Sequence, residues 1–262
     1  MLRKRLLVGM IAGVLSFGNA LWATVITTAL HCSADTFVYC PGDGAAWTKA
    51  LAEYGYGTGN NFGGSGSMSV AAVTAAQEKG EFDSLLKYDF SSLSGLTVTN
   101  MTLTLNLSCG NSGGYSIFNT YGSTGYFDIS WFSSSWVEGV DAAHTGTYTS
   151  GITYDSLQTL LASDPATYLQ TFYFDNVAGS HTFALDLTSG NYSSLLSAIT
   201  AGDTITLLLT ASDGSSVSFN LTGNNNAYMT ITAIPEPATM FLLMAGCILA
   251  KRTNRNRNRR FM

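Results

Sequence analysis

Between residues 24 and 234 the chain holds no arginine and only three lysines, Lys49, Lys79 and Lys87, against sixteen carboxylates. Phosphate is held by lysine and arginine, and its planar bidentate recognition needs arginine, so nucleic acid and phosphorylated ligands are poor partners for this stretch. Also missing are HExxH, CxxC and an EF-hand loop. The histidines of the span, His31, His144 and His181, stand apart with no second ligand at metal spacing, so neither a zinc site nor a Ser-His-Asp triad is expected. Cysteine is scarce and odd in number: Cys32, Cys40 and Cys109 precede a fourth, Cys247, in a distal apolar run, so the three cannot all pair. A Cys32–Cys40 bridge requires the chain to turn at Pro41-Gly42-Asp43-Gly44; an extended run between them forbids it.

The missing basic residues are at the two ends. Arg3, Lys4 and Arg5 precede an apolar stretch over residues 6–17, followed by the small residues Gly18 and Ala20. This is the form of a secretory signal peptide, assigned to residues 1–23, with cleavage after Ala20 or Ala23. Cys32 does not read as a lipidation site, because His31 stands where a small residue is wanted. At the other end, Pro235, Glu236 and Pro237 lead into an uncharged run over residues 238–250, then Lys251, Arg252, Arg255, Arg257, Arg259 and Arg260. As a helix the run rises roughly 20 Å against about 30 Å of hydrocarbon, a thin inner-membrane anchor. The cationic cluster is expected to stay cytoplasmic, leaving everything before Pro235 on the far side. The prolines block helix propagation and keep the preceding segment extended and open to a protease.

Pro235-Glu236-Pro237-Ala238-Thr239, the short apolar helix and the Arg-rich terminus together resemble the PEP-CTERM sorting signal, assigned to residues 235–262. The tail departs from the pattern in alternating asparagine with arginine. The resemblance implies a partner, an exosortase-type membrane protease, and transient anchoring followed by processing and deployment at the cell surface or in an exopolysaccharide matrix.

What remains, residues 24–234, is one domain's worth of chain. Its apolar residues alternate in short runs separated by Gly, Ser, Asn and Asp, which predicts an all-β fold, best described as a jelly-roll-like β-sandwich with a few short helices. Strands are predicted at 35–39, 68–72, 84–90, 101–107, 127–131, 171–174, 182–187, 204–211, 217–221 and 228–233. Met101, Leu103, Leu105 and Leu107 give the strand predicted at 101–107 one buried face. Helices are predicted at 45–54 and at 154–162, the latter capped by Thr153 with Leu157, Leu160 and Leu161 inward, and a helical turn near 192–199. Ser212-Asp213-Gly214 is a tight turn. The glycine-rich loop 55–66 lacks the GK[ST] of a phosphate cradle, and the sequons at Asn100, Asn106, Asn191 and Asn220 read as strand and turn chemistry.

Several short motifs follow one another: Asp35-Thr36-Phe37-Val38, Asn61-Phe62-Gly63-Gly64, Leu85-Leu86-Lys87-Tyr88-Asp89-Phe90-Ser91-Ser92-Leu93 with the threonine-rich 99–107, Ser135-Trp136-Val137-Glu138-Gly139 and Gly151-Ile152-Thr153-Tyr154. They resemble DNRLRE-type domains, with Lys87 where an arginine is common. That resemblance implies a secreted jelly-roll module of a group in which some members bind carbohydrate.

Candidate chemistry is sparse. Asp128, Glu138, Asp141 and Asp186 are the carboxylates least suited to loops, and a glycosidase needs two that converge. Sugar rings stack on exposed aromatic faces. Trp131 keeps the parity of Phe127 and Ile129 and reads as core, whereas Trp136, after Ser133-Ser134-Ser135, fits either core or a glycan contact. Tyr115, Tyr121, Tyr126, Tyr148 and Tyr154 are scattered nearby. No catalytic, cofactor or metal residue is assigned; a structural calcium is compatible with a jelly roll but has no identifiable ligands. The expectation is a non-enzymatic exported protein binding polysaccharide, the alternatives being a polysaccharide-degrading enzyme and a purely structural matrix protein.

Overall fold

Eleven strands and two α-helices carry the fold in the computed structural model, which describes residues 24–42, 57–64, 67–72, 80–109, 122–139, 151–222 and 226–235. The chain divides into two units, Thr27–Ala233 and a second drawn from Met1–Ile26 with Ile234–Met262. The expected signal peptide, the expected helix at 45–54, and the sorting signal from Glu236 onward lie outside the described residues.

The strands are β1 (Ile26–His31), β2 (Ala34–Pro41), β3 (Ser67–Ala71), β4 (Gly80–Asp89), β5 (Leu96–Ser108), β6 (Gly125–Phe132), β7 (Thr167–Phe174), β8 (Gly179–Ala184), β9 (Thr204–Ala211), β10 (Ser218–Thr222) and β11 (Tyr228–Pro235); the helices are α1 (Tyr154–Ser163) and α2 (Ser193–Ala201). They form one curled antiparallel sheet in the order β1-β11-β5-β10-β3-β4-β9-β6-β7, with β2 also paired to β4 and β8 to β5. The ten strands predicted from alternation are present, several longer than expected. The sequence reading missed β1, whose apolar residues run on from the signal-like segment and show no break. Ser212-Asp213-Gly214 is a turn, but β9 and β10 are not partners; the chain leaves β9 there and pairs with β3 and β5 instead.

Period-two alternation explains what is buried. Phe82, Leu86 and Tyr88 of β4, Met101, Leu103, Leu105 and Leu107 of β5, and Phe127, Ile129 and Trp131 of β6 enter one core. Phe127 meets Phe183 of β8 edge-on at 5.3 Å and Phe219 of β10 at 5.1 Å, tying together strands distant in the sheet order. Such pairs each contribute about 0.5–1.5 kcal/mol beyond their buried area. On β5 the intervening Thr104 is also buried, its hydroxyl 3.0 Å from that of Thr182 on β8.

A second, smaller cluster lies on the opposite face of β2, β4, β9 and β6: Val38, Leu85, Leu208 and Phe132, covered by Trp136, Ile152 and Leu157. Here α1 docks. Its cap is as predicted: Thr153 accepts from the Ser156 amide, and Ser156 closes a reciprocal capping box. Leu157 is buried beneath it, with Leu160 and Leu161 packed at the edge.

A Cys32–Cys40 bridge is not formed, and none of Cys32, Cys40 and Cys109 is in a disulfide. Cys32 sits in the main core, and Cys40 lies near the end of an extended eight-residue strand, the geometry that forbids the bridge. Among the described residues no helix is long and apolar enough to cross a membrane.

Candidate functional site

The short motifs singled out in the sequence come together around one residue. Asn61, fully buried, donates from Nδ2 to the backbone carbonyls of Glu138 and Ile152, both at 2.7 Å, and accepts from the Gly63 amide at 3.2 Å. It thereby fastens the segments 57–64, 133–139 and 151–153 to one another. Two glycines make room. A Cβ on Gly63 would lie 2.1 Å from the Glu138 carbonyl oxygen, and Gly151 has φ +116° with its Cβ position 2.4 Å from Asn61 Nδ2.

Trp136 belongs to this assembly. Its indole is only 6 % exposed, and its N–H donates to the Thr206 hydroxyl at 2.7 Å. The Lys87 ammonium lies 4.2 Å from the ring centroid and donates to the Trp136 carbonyl. Burial lowers the affinity of Lys87 for its proton, partly offset by Glu138. With one face in the small core and the other under a cation, Trp136 presents no free face to a sugar. Its tentative role as a glycan contact is replaced by a packing role. The serine run before it is held by Asp164, which accepts from the amides and hydroxyls of Ser133 and Ser134 at 2.8–3.2 Å. These bonds hold the Asp164 carboxyl below the usual carboxylate range, the Ser134 hydroxyl foremost.

The exposed aromatics are elsewhere. Beyond the edge of α1 the outer face of β6 and β7 is uncovered, and it carries Tyr126, Tyr168 and Tyr173 at 55 %, 46 % and 53 % exposure. Tyr126 and Tyr173 are register partners, their rings 5.1 Å apart and tilted by 58°. Next along the strands, Asp128 stands opposite Thr171. The Thr171 hydroxyl donates to Asp128 Oδ1, which also accepts from Ser212 Oγ at 2.7 Å, and the Tyr168 hydroxyl lies 2.9 Å from that of Thr171. A continuous line of hydroxyls and one carboxylate therefore runs between the tyrosines. Tyr168 is an odd number of residues from Tyr173 and would face inward on a regular strand. A bulge between Ile129 and Ser130, where Gln170 is followed in the register by Tyr168, turns it outward while Leu169 enters the core.

A cleft of about 350 Å³ adjoins this face, lined by Glu81, Ser212, Asp213 and Ser215 among others. Ser215 accepts from the Tyr126 amide at 2.9 Å and so joins the two features. Glu81 titrates above its ordinary range through burial and then through Asp213.

Of the four carboxylates selected from the sequence, the three that are described share no partner. Asp128 lies on the tyrosine face. Glu138 sits beside Asp35 and Lys87, its pKa raised chiefly by burial. Asp186 accepts from the amide and hydroxyl of Thr188, and Asp141 lies outside the described residues, as do Tyr115, Tyr121, Tyr148 and His144. No three His, Cys, Asp or Glu side chains converge to hold a metal among the described residues. The sequence reading noted Tyr126 without weighting it and missed Tyr173, although both stand out of phase with core neighbours, Phe127 in one strand and Phe172 and Phe174 in the other. No protein family and no curated protein matches the chain.

Proposed function

We propose that this is a non-enzymatic exported protein that binds polysaccharide on the outer face of β6 and β7, sorted through its PEP-CTERM-like terminus by an exosortase-type protease and deployed at the cell surface or in the exopolysaccharide matrix. The supporting observation is the exposed Tyr126–Tyr173 pair with Tyr168 beyond it, flanking a row of hydroxyls and a carboxylate. Aromatic faces suit the apolar faces of sugar rings, and the hydroxyl row suits their polar edges. From Tyr168 to Tyr173 the strand spans roughly 15 Å, a length suited to several rings in a chain rather than to one. The finer architecture in this reading is a jelly-roll-like sandwich, supported by a core enclosed between β2-β4-β9-β6-β7 on one side and β5, β8, β10 and β11 on the other. Export and sorting rest on the two terminal segments of the sequence.

The test is retention of the purified full chain on immobilised exopolysaccharide of the producing organism, comparing wild type with Tyr126→Ala/Tyr173→Ala. Loss of retention by about tenfold, the equivalent of 1.4 kcal/mol, is expected. Equal retention by the folded double variant removes the site. The cleft gives one specific reason to monitor the degradative alternative: release of reducing ends by wild type that Glu81→Gln abolishes would make this a polysaccharide-cleaving enzyme.

A further inference from the structure

Among the described residues, the charged side chains on and beside the tyrosine face are all carboxylates. Asp128 is at its centre, Asp175 lies two residues beyond Tyr173, and Asp213 follows Ser212 in the adjoining turn, with Glu81 across the cleft. Lys87, the only lysine or arginine among the described residues, is engaged with Trp136 in the separate motif assembly. Asp128 is also committed through one oxygen: Oδ1 takes both hydroxyl donors, from Thr171 and Ser212. No hydrogen bond to Oδ2 is made among the described residues, which leaves it available as an acceptor, and Asp128 follows Tyr126 by two residues on the same strand face. A carboxylate in that place accepts hydroxyl hydrogens well and repels another anion.

We infer that the tyrosine face selects neutral polysaccharide and rejects anionic polysaccharide, with Asp128 as the discriminating residue. The inference rests on the polysaccharide-binding reading above and narrows its ligand class. A neutral chain gives its hydroxyls to Oδ2 while its rings lie against Tyr126 and Tyr173. A uronic acid or sulfated chain in the same position sets its own charge against Asp128, with Asp175 and Asp213 adding to the repulsion and no lysine or arginine of the described residues beside it to offset it. The discrimination is electrostatic, so it weakens as salt rises, over a screening length of about 10 Å at 0.1 M.

The experiment is affinity electrophoresis of the full chain in EDTA, which prevents divalent cations from bridging carboxylates, through gels containing laminarin, dextran or galactomannan as neutral probes and alginate or polygalacturonate as anionic ones. Wild type should be retarded by at least one neutral polymer and by neither anionic polymer. Asp128→Asn loses the charge and, with its carbonyl oxygen held by Thr171 and Ser212, sets an amide donor in place of Oδ2. Its affinity for alginate should rise about tenfold relative to its affinity for the neutral polymer at low salt, the gain shrinking as salt screens the neighbouring carboxylates. Retardation of wild type by alginate equal to that by the neutral polymers overturns the inference while leaving polysaccharide binding intact, and this comparison does not depend on the variant's folding. Equal behaviour of wild type and Asp128→Asn on every polymer removes Asp128 as the discriminator. Absence of retardation of folded wild type by both classes overturns the binding reading itself.

Discussion

Replacing Asn61 with alanine should unfasten the cover of the small core without touching the main one. The side chain makes two donated bonds of 2.7 Å and one accepted bond of 3.2 Å, all to backbone groups. Alanine leaves the carbonyls of Glu138 and Ile152 and the amide of Gly63 without these partners. A buried polar group left unsatisfied costs roughly 1–3 kcal/mol, and carbonyls, with a second lone pair, fall toward the low end. The expected total is about 3 kcal/mol. For a domain of this size each kcal/mol lowers Tm by roughly 2–4 °C, so a fall of about 6–12 °C is predicted. Urea unfolding followed by tryptophan fluorescence checks it, because Trp136 is covered by the segments that Asn61 joins. Asn61→Asp should be worse than alanine, since a carboxylate would face two carbonyl oxygens in a buried site. A loss below about 1 kcal/mol in Asn61→Ala, at unchanged m, would refute the claim that this residue fastens the three segments.

Two further substitutions probe neighbouring features. Gly63→Ala should destabilise by an amount comparable to Asn61→Ala, because its Cβ would meet the Glu138 carbonyl oxygen at 2.1 Å and the backbone must shift; a thermal melt matching wild type would show that the loop has slack. Asp83 tests burial of charge. It lies on β4 opposite Val38, its Oδ1 is buried without a hydrogen-bond partner, and burial followed by Glu81 raises its pKa well above the carboxylate range. The unfolded chain ionises it near pH 4. Above that pH the native state holds the extra proton, so the stability it contributes is full below about pH 4 and declines as pH rises toward the native pKa. Asp83→Asn should therefore gain stability over wild type at pH 8 relative to pH 5 in urea unfolding; a difference constant across that range would contradict the assignment.

The pattern of what the sequence disclosed follows from where its regularities come from. Period-two alternation is imposed by burial of one strand face, so β5 and β6 were legible, as was Trp131 as core, whereas β4 and β9, buried on both faces, were legible as short apolar runs. The α1 cap was legible because Thr153 and the leucines at helical spacing act locally. β1 was not, because burial alternates only weakly along it and its apolar residues continue those before it. The order of strands was not legible either: β10 lies between β5 and β3 through bonds to residues more than a hundred positions away, and no local feature at Ser212-Asp213-Gly214 distinguishes a corner from a hairpin.

The same distinction separates the motifs from the candidate site. Asn61, Gly63, Lys87, Trp136, Glu138 and Gly151 stood out as members of the motifs that resemble DNRLRE-type domains, and in the structure their backbone and hydrogen-bonding requirements serve one another: amide to carbonyl, glycine to close approach, cation to indole. Residues that interlock in this way are restricted by the fold, and a ligand role adds nothing needed to explain them. Tyr126, Tyr168 and Tyr173 have no such internal account. Each exposes a large aromatic side chain at a position where folding alone would be served by a threonine, and Tyr168 reaches that position only through a bulge. An exposed aromatic face ordered along a strand and joined by hydroxyls to a centrally held carboxylate is the observation on which the proposed polysaccharide binding rests.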